Sequence, residues 1–207
     1  ARQRLRDFQQ DVDRARFFGS QFTGDQLAFN ARQAQKFALA ALARYELENR
    51  QNLDPPPAHL TEQQVKGWRN NVFELAVILA DAEATLAQEL PGAERRAGIE
   101  RALDWLARTE QGGGQKSKAV WLMEAGYLRA LGREDDAGQS ELAASKVQPS
   151  TAWEFFLLAE IERRNNERYA AATILYQQAL DIDPEYFLAL HFLGVCNLQR
   201  VQSLATQ

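Results

Sequence analysis

Apolar residues recur along this chain at intervals of three and four, the spacing that places side chains on one face of an α-helix. Leu5, Phe8, Val12 and Ala15 form the first such stripe, within residues 1–22, and the glycine of Phe22-Thr23-Gly24-Asp25 breaks it. A second stripe, Leu27, Ala31, Ala34, Phe37, Ala38 and Ala41, predicts a helix over 25–48. Residues 51–60, QNLDPPPAHL, carry three successive prolines, which lack N–H donors and favour an extended backbone. The stretch reads as a stiff connector, with a docking ligand for a proline-binding domain as the other reading. Thr61 then opens a long helix, and Gln64 three residues on completes a capping box. Trp68, Val72, Leu75, Ala76, Leu79, Ala82 and Leu86 form its inward stripe, and Pro91-Gly92 ends it. Ile99, Leu103 and Leu106, with Trp105 beside them, mark the face of a fourth helix. Five more helices are predicted over 118–131, 134–146, 151–165, 167–181 and 185–200, and the tail VQSLATQ extends the last of them or frays. Alanine and leucine dominate and β-branched residues are few, which favours helix throughout. The fold class is all-α, with strand content near zero.

The helices repeat. Pro149 returns as Pro184, Ala137 as Ala172, and Ala125 as Ala159 and then Gly194, each about 35 residues on. Ala172, Tyr176 and Ala179 share one face, where two small side chains let a neighbouring helix approach closely. Asp183-Pro184 stops that helix, because a residue before proline is pushed out of the α region. Pro184 is expected to open the next helix. Leu190, Leu193 and Gly194 then carry the pattern on, with Gly194 making room at a helix crossing.

A helix–turn–helix unit of this period resembles the tetratricopeptide repeat. Residues 153–184 match it through Leu158-Ala159, Tyr169, Ala172, Tyr176, Ala179 and Pro184, with one extra residue in the inner turn. The unit before is looser: Ala125, Leu128, Gly132, Ala137 and Pro149 fit, but Glu141 stands where an aromatic is usual. The resemblance implies an α-solenoid of antiparallel helical hairpins wound as a right-handed superhelix. The expected organisation is an N-terminal helical pair over 1–50 and the proline-rich connector at 51–60. A long hairpin plus glycine-rich loop follows over 61–117, then about two and a half repeats over 118–207. Together these form one continuous helical domain.

Composition narrows the function classes. The 207 residues are 45% hydrophobic and 25% charged, ordinary for a globular chain with a continuous core. A net charge of −4 argues against general nucleic-acid binding, which needs a basic surface. The run Arg2, Arg4 and Arg6 reads as a solvated helix face rather than a lipid-binding patch. No apolar run approaches the roughly 18 residues needed to span a bilayer, so no membrane insertion by this segment is expected, and no signal peptide is read within it. Lone Cys196 lies on an apolar helix side, so burial is expected and an internal disulfide is not. Beginning at Ala1 without methionine and ending soon after a third repeat opens, the chain reads as part of something longer.

The reactive residues fall into no recognisable active-site pattern. Residues 111–118, QGGGQKSK, superficially suggest a phosphate-binding loop, but that loop needs glycine directly before the lysine and a strand leading in. Here Gln115 precedes Lys116, so the plain reading is a flexible loop with Ser117 capping the next helix. His59 and His191 have no partner at metal-ligand spacing. Asp135-Asp136 and Asp181-Asp183 lack the rest of a calcium loop. No nucleophile elbow or dinucleotide fingerprint appears. No catalytic residue, metal or cofactor is assigned, and the segment is read as non-enzymatic.

In the repeat register the first helix of each hairpin lines a concave face. That places Leu122, Gly126 and Arg129 there, then Trp153, Phe156, Glu160, Arg163 and Arg164, then Leu188, His191 and Val195. An aromatic centre with a basic edge suits a protein partner's extended or helical peptide. The competing reading packs Trp153 and Phe156 against the neighbouring hairpin. Some repeat domains of this family clamp a peptide's terminal carboxylate with lysines and asparagines on these faces. Here those places hold Leu122, Gly126, Phe156, Glu160, Leu157 and Phe192, so no such clamp is expected.

Taken whole, FQQDVDRARFFGSQFTG, ALAALARY, FELAVILADAEA and DIDPEYFLALHFLGVCNLQR resemble the region following the kinase domain in large bacterial serine/threonine kinases with tetratricopeptide repeats. The resemblance implies a kinase domain upstream, in the cytoplasm or tethered to a membrane. The segment itself has no glycine-rich phosphate loop, HRD or DFG. The expected function is a scaffold arm that recruits partners or substrates. The alternative is a free-standing adaptor, and an enzyme whose site forms only in three dimensions is a third reading. Self-association is left open.

Overall fold

A computed structural model describes residues 2–20, 26–54, 56–111, 116–165 and 168–205. All regular structure among them is α-helical: α1 (Arg2–Gly19), α2 (Leu27–Ala43), α3 (Glu62–Ala87), α4 (Gly92–Gln111), α5 (Lys118–Ala130), α6 (Glu134–Ser145), α7 (Ala152–Asn165), α8 (Tyr169–Ile182) and α9 (Phe187–Ala205). Residues 22–25, where the sequence breaks the first helix, lie outside the described residues, as do Pro55 and the glycine-rich stretch 112–115. The chain falls into two compact units. One is Ala1–Lys116 with Tyr127–Arg133, and the other is Ser117–Gly126 with Glu134–Gln207.

In the first unit, α1 packs on α2 and α3, α2 on α3, and α3 on α4. Phe8, Val12 and Ala15 of α1 are fully buried, as the stripe predicts, and Ala34, Ala38, Ala41 and Leu42 are among the buried residues of α2. Charged side chains tie the layers at their edges. Arg16 donates to Glu74 at 2.6 Å and to Asn71 at 2.8 Å, joining α1 to α3. Glu83, buried on α3, accepts from Gln35 at 2.7 Å and from Arg101 at 2.9 Å, joining α2 and α4. Burial raises the Glu74 carboxyl above its ordinary range, and the Arg16 guanidinium opposes the rise. The capping box at Thr61 and Gln64 is formed in both directions. α4 approaches α3 at Gly98, where an added Cβ would stand 2.6 Å from the Ala87 Cβ.

Three local expectations are corrected. α2 stops at Ala43, not Glu48. Glu46 takes a left-handed φ of 59°, and Leu47 folds back to donate to the Leu42 carbonyl at 3.1 Å and bury its side chain. Burial of Leu47 overrides the local backbone cost, and no glycine or proline marks the turn. Leu27, expected inward, sits exposed in the first turn of α2. Pro184 does not open α9. Asp183 is extended, and the Tyr186 N–H donates to the Asp183 carbonyl at 3.1 Å, so Pro184 lies inside a tight turn and the helix begins at Phe187.

In the second unit, α7 packs on α8, α8 on α9, and α7 on α9. Ser117 Oγ accepts from the Val120 N–H at 3.3 Å, capping α5 as expected. Ala137 and Ala144 of α6, Ala159 of α7, and Ala172, Tyr176 and Ala179 of α8 are all buried. At the α5 end within the first unit, Gly132 has φ +76°. Its N–H donates to Arg129 O at 2.9 Å, and Arg133 N–H donates to Leu128 O at 2.9 Å. That pair of bonds is the Schellman stop, and it accounts for glycine there. Ala189, Phe192 and Cys196 form the buried face of α9, so the expected Leu190–Leu193–Gly194 face is off by one position. Gly194 makes no room at a crossing: nothing lies within 4 Å of where its Cβ would be.

Candidate functional site

The second unit holds a buried polar cluster, Glu160, Arg163 and Tyr176, in a small aromatic core. α7 begins at a cap in which Thr151 Oγ1 accepts from the Glu154 N–H at 3.2 Å while Glu154 Oε2 accepts from the Thr151 N–H at 3.2 Å. This fixes the helix start and aims the Phe156, Glu160 and Arg163 side chains inward, three or four residues apart. Phe156 is 4% exposed, with ring centroids 6.0 Å from Tyr176, 5.6 Å from Tyr186 and 6.1 Å from Phe192. Glu160 is 3% exposed. Its carboxylate accepts a fork from Arg163, Nε to Oε1 at 3.1 Å and Nη2 to Oε2 at 2.7 Å, and a short bond from the Tyr176 hydroxyl. The Arg163 guanidinium carbon lies 4.8 Å from the centre of the Phe192 ring.

These contacts place the residues expected to line a concave face. Phe156, Glu160 and Arg163 are brought together, but in the interior, so their expected place on an accessible groove is corrected. The physical reason is mutual satisfaction: a fork-shaped cation, a carboxylate and a phenol neutralise one another, so the α7 face carrying them can be buried. Trp153, Arg164, Leu122 and Leu188 are half-buried, and Arg129 and His191 are exposed. Arg129 belongs to the first unit and Leu122 to the second. Of the neighbouring expectations, Gly126 is exposed and Val195 half-buried. The sequence signal for the polar core is the Glu160–Arg163 spacing of one helical turn; the sequence reading places both on the partner-binding groove because Tyr176 is distant in the chain.

The cluster is chemically closed. Burial pushes the Tyr176 phenol strongly up, and the adjacent Glu160 charge adds to it. Burial would lower the Arg163 guanidinium, but its bonds to Glu160 outweigh that and raise it. A phenol raised in the folded state favours its protonated form there. The stability it contributes is therefore complete below about pH 10 and is lost as pH rises beyond it. We expect stability to fall more steeply above pH 10 in the unsubstituted chain than in Tyr176→Phe. Urea titrations between pH 8 and 11 test this, and equal slopes would contradict it.

Among the described residues, no group of three His, Cys, Asp or Glu side chains is placed to hold a metal ion. Cys196 is buried. A small cavity of about 10 Å³ in the first unit, room for one water, is lined by residues including Phe18, Leu27, Ala31, Ile78 and Thr85. No helix is long and apolar enough to cross a membrane among the described residues. No protein-family model matches the chain, and comparisons with curated proteins and with solved structures find no match either.

Proposed function

We propose that this chain is a non-catalytic protein–protein interaction module built as a solenoid of antiparallel helical hairpins of the tetratricopeptide kind. The observation that carries the reading is the period of about 35 residues, whose small and aromatic markers Ala137, Ala159, Ala172, Tyr176 and Ala179 are all buried. Repeats of this sort bury a core only by stacking on neighbours and leave one long face for partners. The closed Glu160–Arg163–Tyr176 cluster supports a structural rather than a catalytic use of the ionisable groups. The resemblance to the arm following a bacterial serine/threonine kinase domain makes substrate or partner recruitment the fitting role, with a free-standing adaptor as the second form of the same reading. The coding sequence upstream of Ala1 separates them: a glycine-rich loop, a VAIK-like lysine, HRD and DFG mark the kinase arm.

With Phe156, Glu160 and Arg163 interior, the groove contacts reduce on α7 to Trp153 and Arg164. Peptides selected from a displayed library against the intact chain are expected to lose about tenfold in affinity on Trp153→Ala. Acidic ones should associate more slowly as salt rises, an effect diminished by Arg164→Glu. A library that yields no saturable binder would count against the module, and binders indifferent to both substitutions would move the site elsewhere.

A further inference from the structure

The apolar residues of α7 do not choose which way the helix faces. Phe156, Leu158 and Ala159 are buried, but Trp153, Phe155, Leu157 and Ile161 stand around the rest of the helix and are half-buried. Turned by one residue, α7 would offer Leu157 in place of Phe156 and Ile161 in place of Glu160. Turned the other way, Phe155 and Ala159 would take those places. Either turn keeps hydrocarbon toward the neighbouring helices, and the hydrophobic effect is non-directional. Ala172 and Ala179, which flank Tyr176 on the buried face of α8, are too small to fix the rotation by shape.

The polar cluster does choose. α7 packs on both α8 and α9, and the cluster has a counterpart on each. Glu160 accepts from the Tyr176 hydroxyl of α8, and the Arg163 guanidinium lies 4.8 Å from the centre of the Phe192 ring of α9. A turn of one residue would set the Tyr176 hydroxyl against Ile161 or Ala159, where no side-chain acceptor exists, and would take its donor from Glu160. A buried polar group left unpaired costs about 1–3 kcal/mol, and a charged one more. The matched cluster itself contributes little net stability, because desolvation offsets most of its attraction. Groups that add little to one arrangement but penalise the others act on selection more than on strength.

We propose that the Glu160–Arg163–Tyr176 cluster is a registry device that selects one rotation of α7 against α8 and α9. The selected rotation leaves Trp153 and Arg164 half-buried at its margin, whereas a turn of one residue would carry Arg164 into the buried place of Arg163. The cluster therefore decides which α7 side chains a partner could reach. The inference needs only the geometry of this unit and stands whether or not the chain is an interaction module.

The test is amide NMR and hydrogen exchange on the intact, isotope-labelled 207-residue chain. Glu160→Leu, Arg163→Met and Tyr176→Phe together are expected to keep a urea midpoint close to that of the unsubstituted chain. The same variant should show several sets of α7 and α8 amide signals, with exchange there at least tenfold faster. Phe156→Ala removes packing and leaves the cluster, so it should lower the midpoint yet keep one set of signals. A single sharp set with unchanged exchange in the triple variant would overturn the proposal, because hydrocarbon alone would then select the rotation. A triple variant that does not fold would overturn it too, since the cluster would then supply stability instead of selection. So would several sets in Phe156→Ala, because the heterogeneity would then follow lost stability whichever group is removed.

Discussion

Replacing Arg163 with methionine should destabilise the second unit by about 3–5 kcal/mol, although the new side chain is apolar and of similar reach. The cost does not come from Arg163 itself. It comes from Glu160, which is 3% exposed and loses the fork of two hydrogen bonds that balances its charge. Tyr176 still donates to it, but one phenol does not replace a guanidinium. The triple variant Glu160→Leu, Arg163→Met and Tyr176→Phe removes the donor and both charges together. It should recover most of the loss, because desolvating a buried pair offsets most of what the pair gains. Urea denaturation followed by circular dichroism reads both effects, and a double-mutant cycle isolates the coupling. A single Arg163→Met cost below about 1 kcal/mol would mean that the pair behaves as a surface salt bridge and that α7 is turned the other way.

The residues of α7 also explain how far the sequence could be read. Ala159, Ala172, Tyr176 and Ala179 were legible as interior because small and aromatic residues at three- and four-residue spacing leave few other arrangements, and all four are buried. The edges of α5 to α8 were legible too, since Gly132, Thr151 and Pro184 interrupt helix for local reasons. The rotation of α7 was not. Glu160 and Arg163 read as groove residues because their third partner, Tyr176, arrives only when α8 folds back. α9 failed for a different reason. FLALHFLGVCNL is apolar nearly all round, so periodicity does not choose between the Leu190 face and the Phe192 face. The choice is made by ring packing, Phe192 against Tyr176 and Phe156. The early end of α2 is likewise tertiary: burying Leu47 outweighs a left-handed Glu46 that local propensity disfavours.

Phe156→Ala carries the other large expected effect, and it separates the two uses that this aromatic could have. As an interior ring touching Tyr176, Tyr186 and Phe192, its loss should cost about 3–5 kcal/mol, the usual price of a large buried side chain plus the cavity it leaves. Edge and tilted ring contacts add to the area term, so the upper half of that range is expected. A groove residue would behave differently. Truncating it would weaken peptide binding while leaving the urea midpoint nearly unchanged, which is the behaviour expected of half-buried Trp153, one helical turn away. Measuring both variants for stability and for peptide affinity therefore assigns each of the two rings its own role. Lost binding at unchanged stability for Phe156→Ala would return the ring to the groove, and with it Glu160 and Arg163, whose spacing along the helix ties them to the same face.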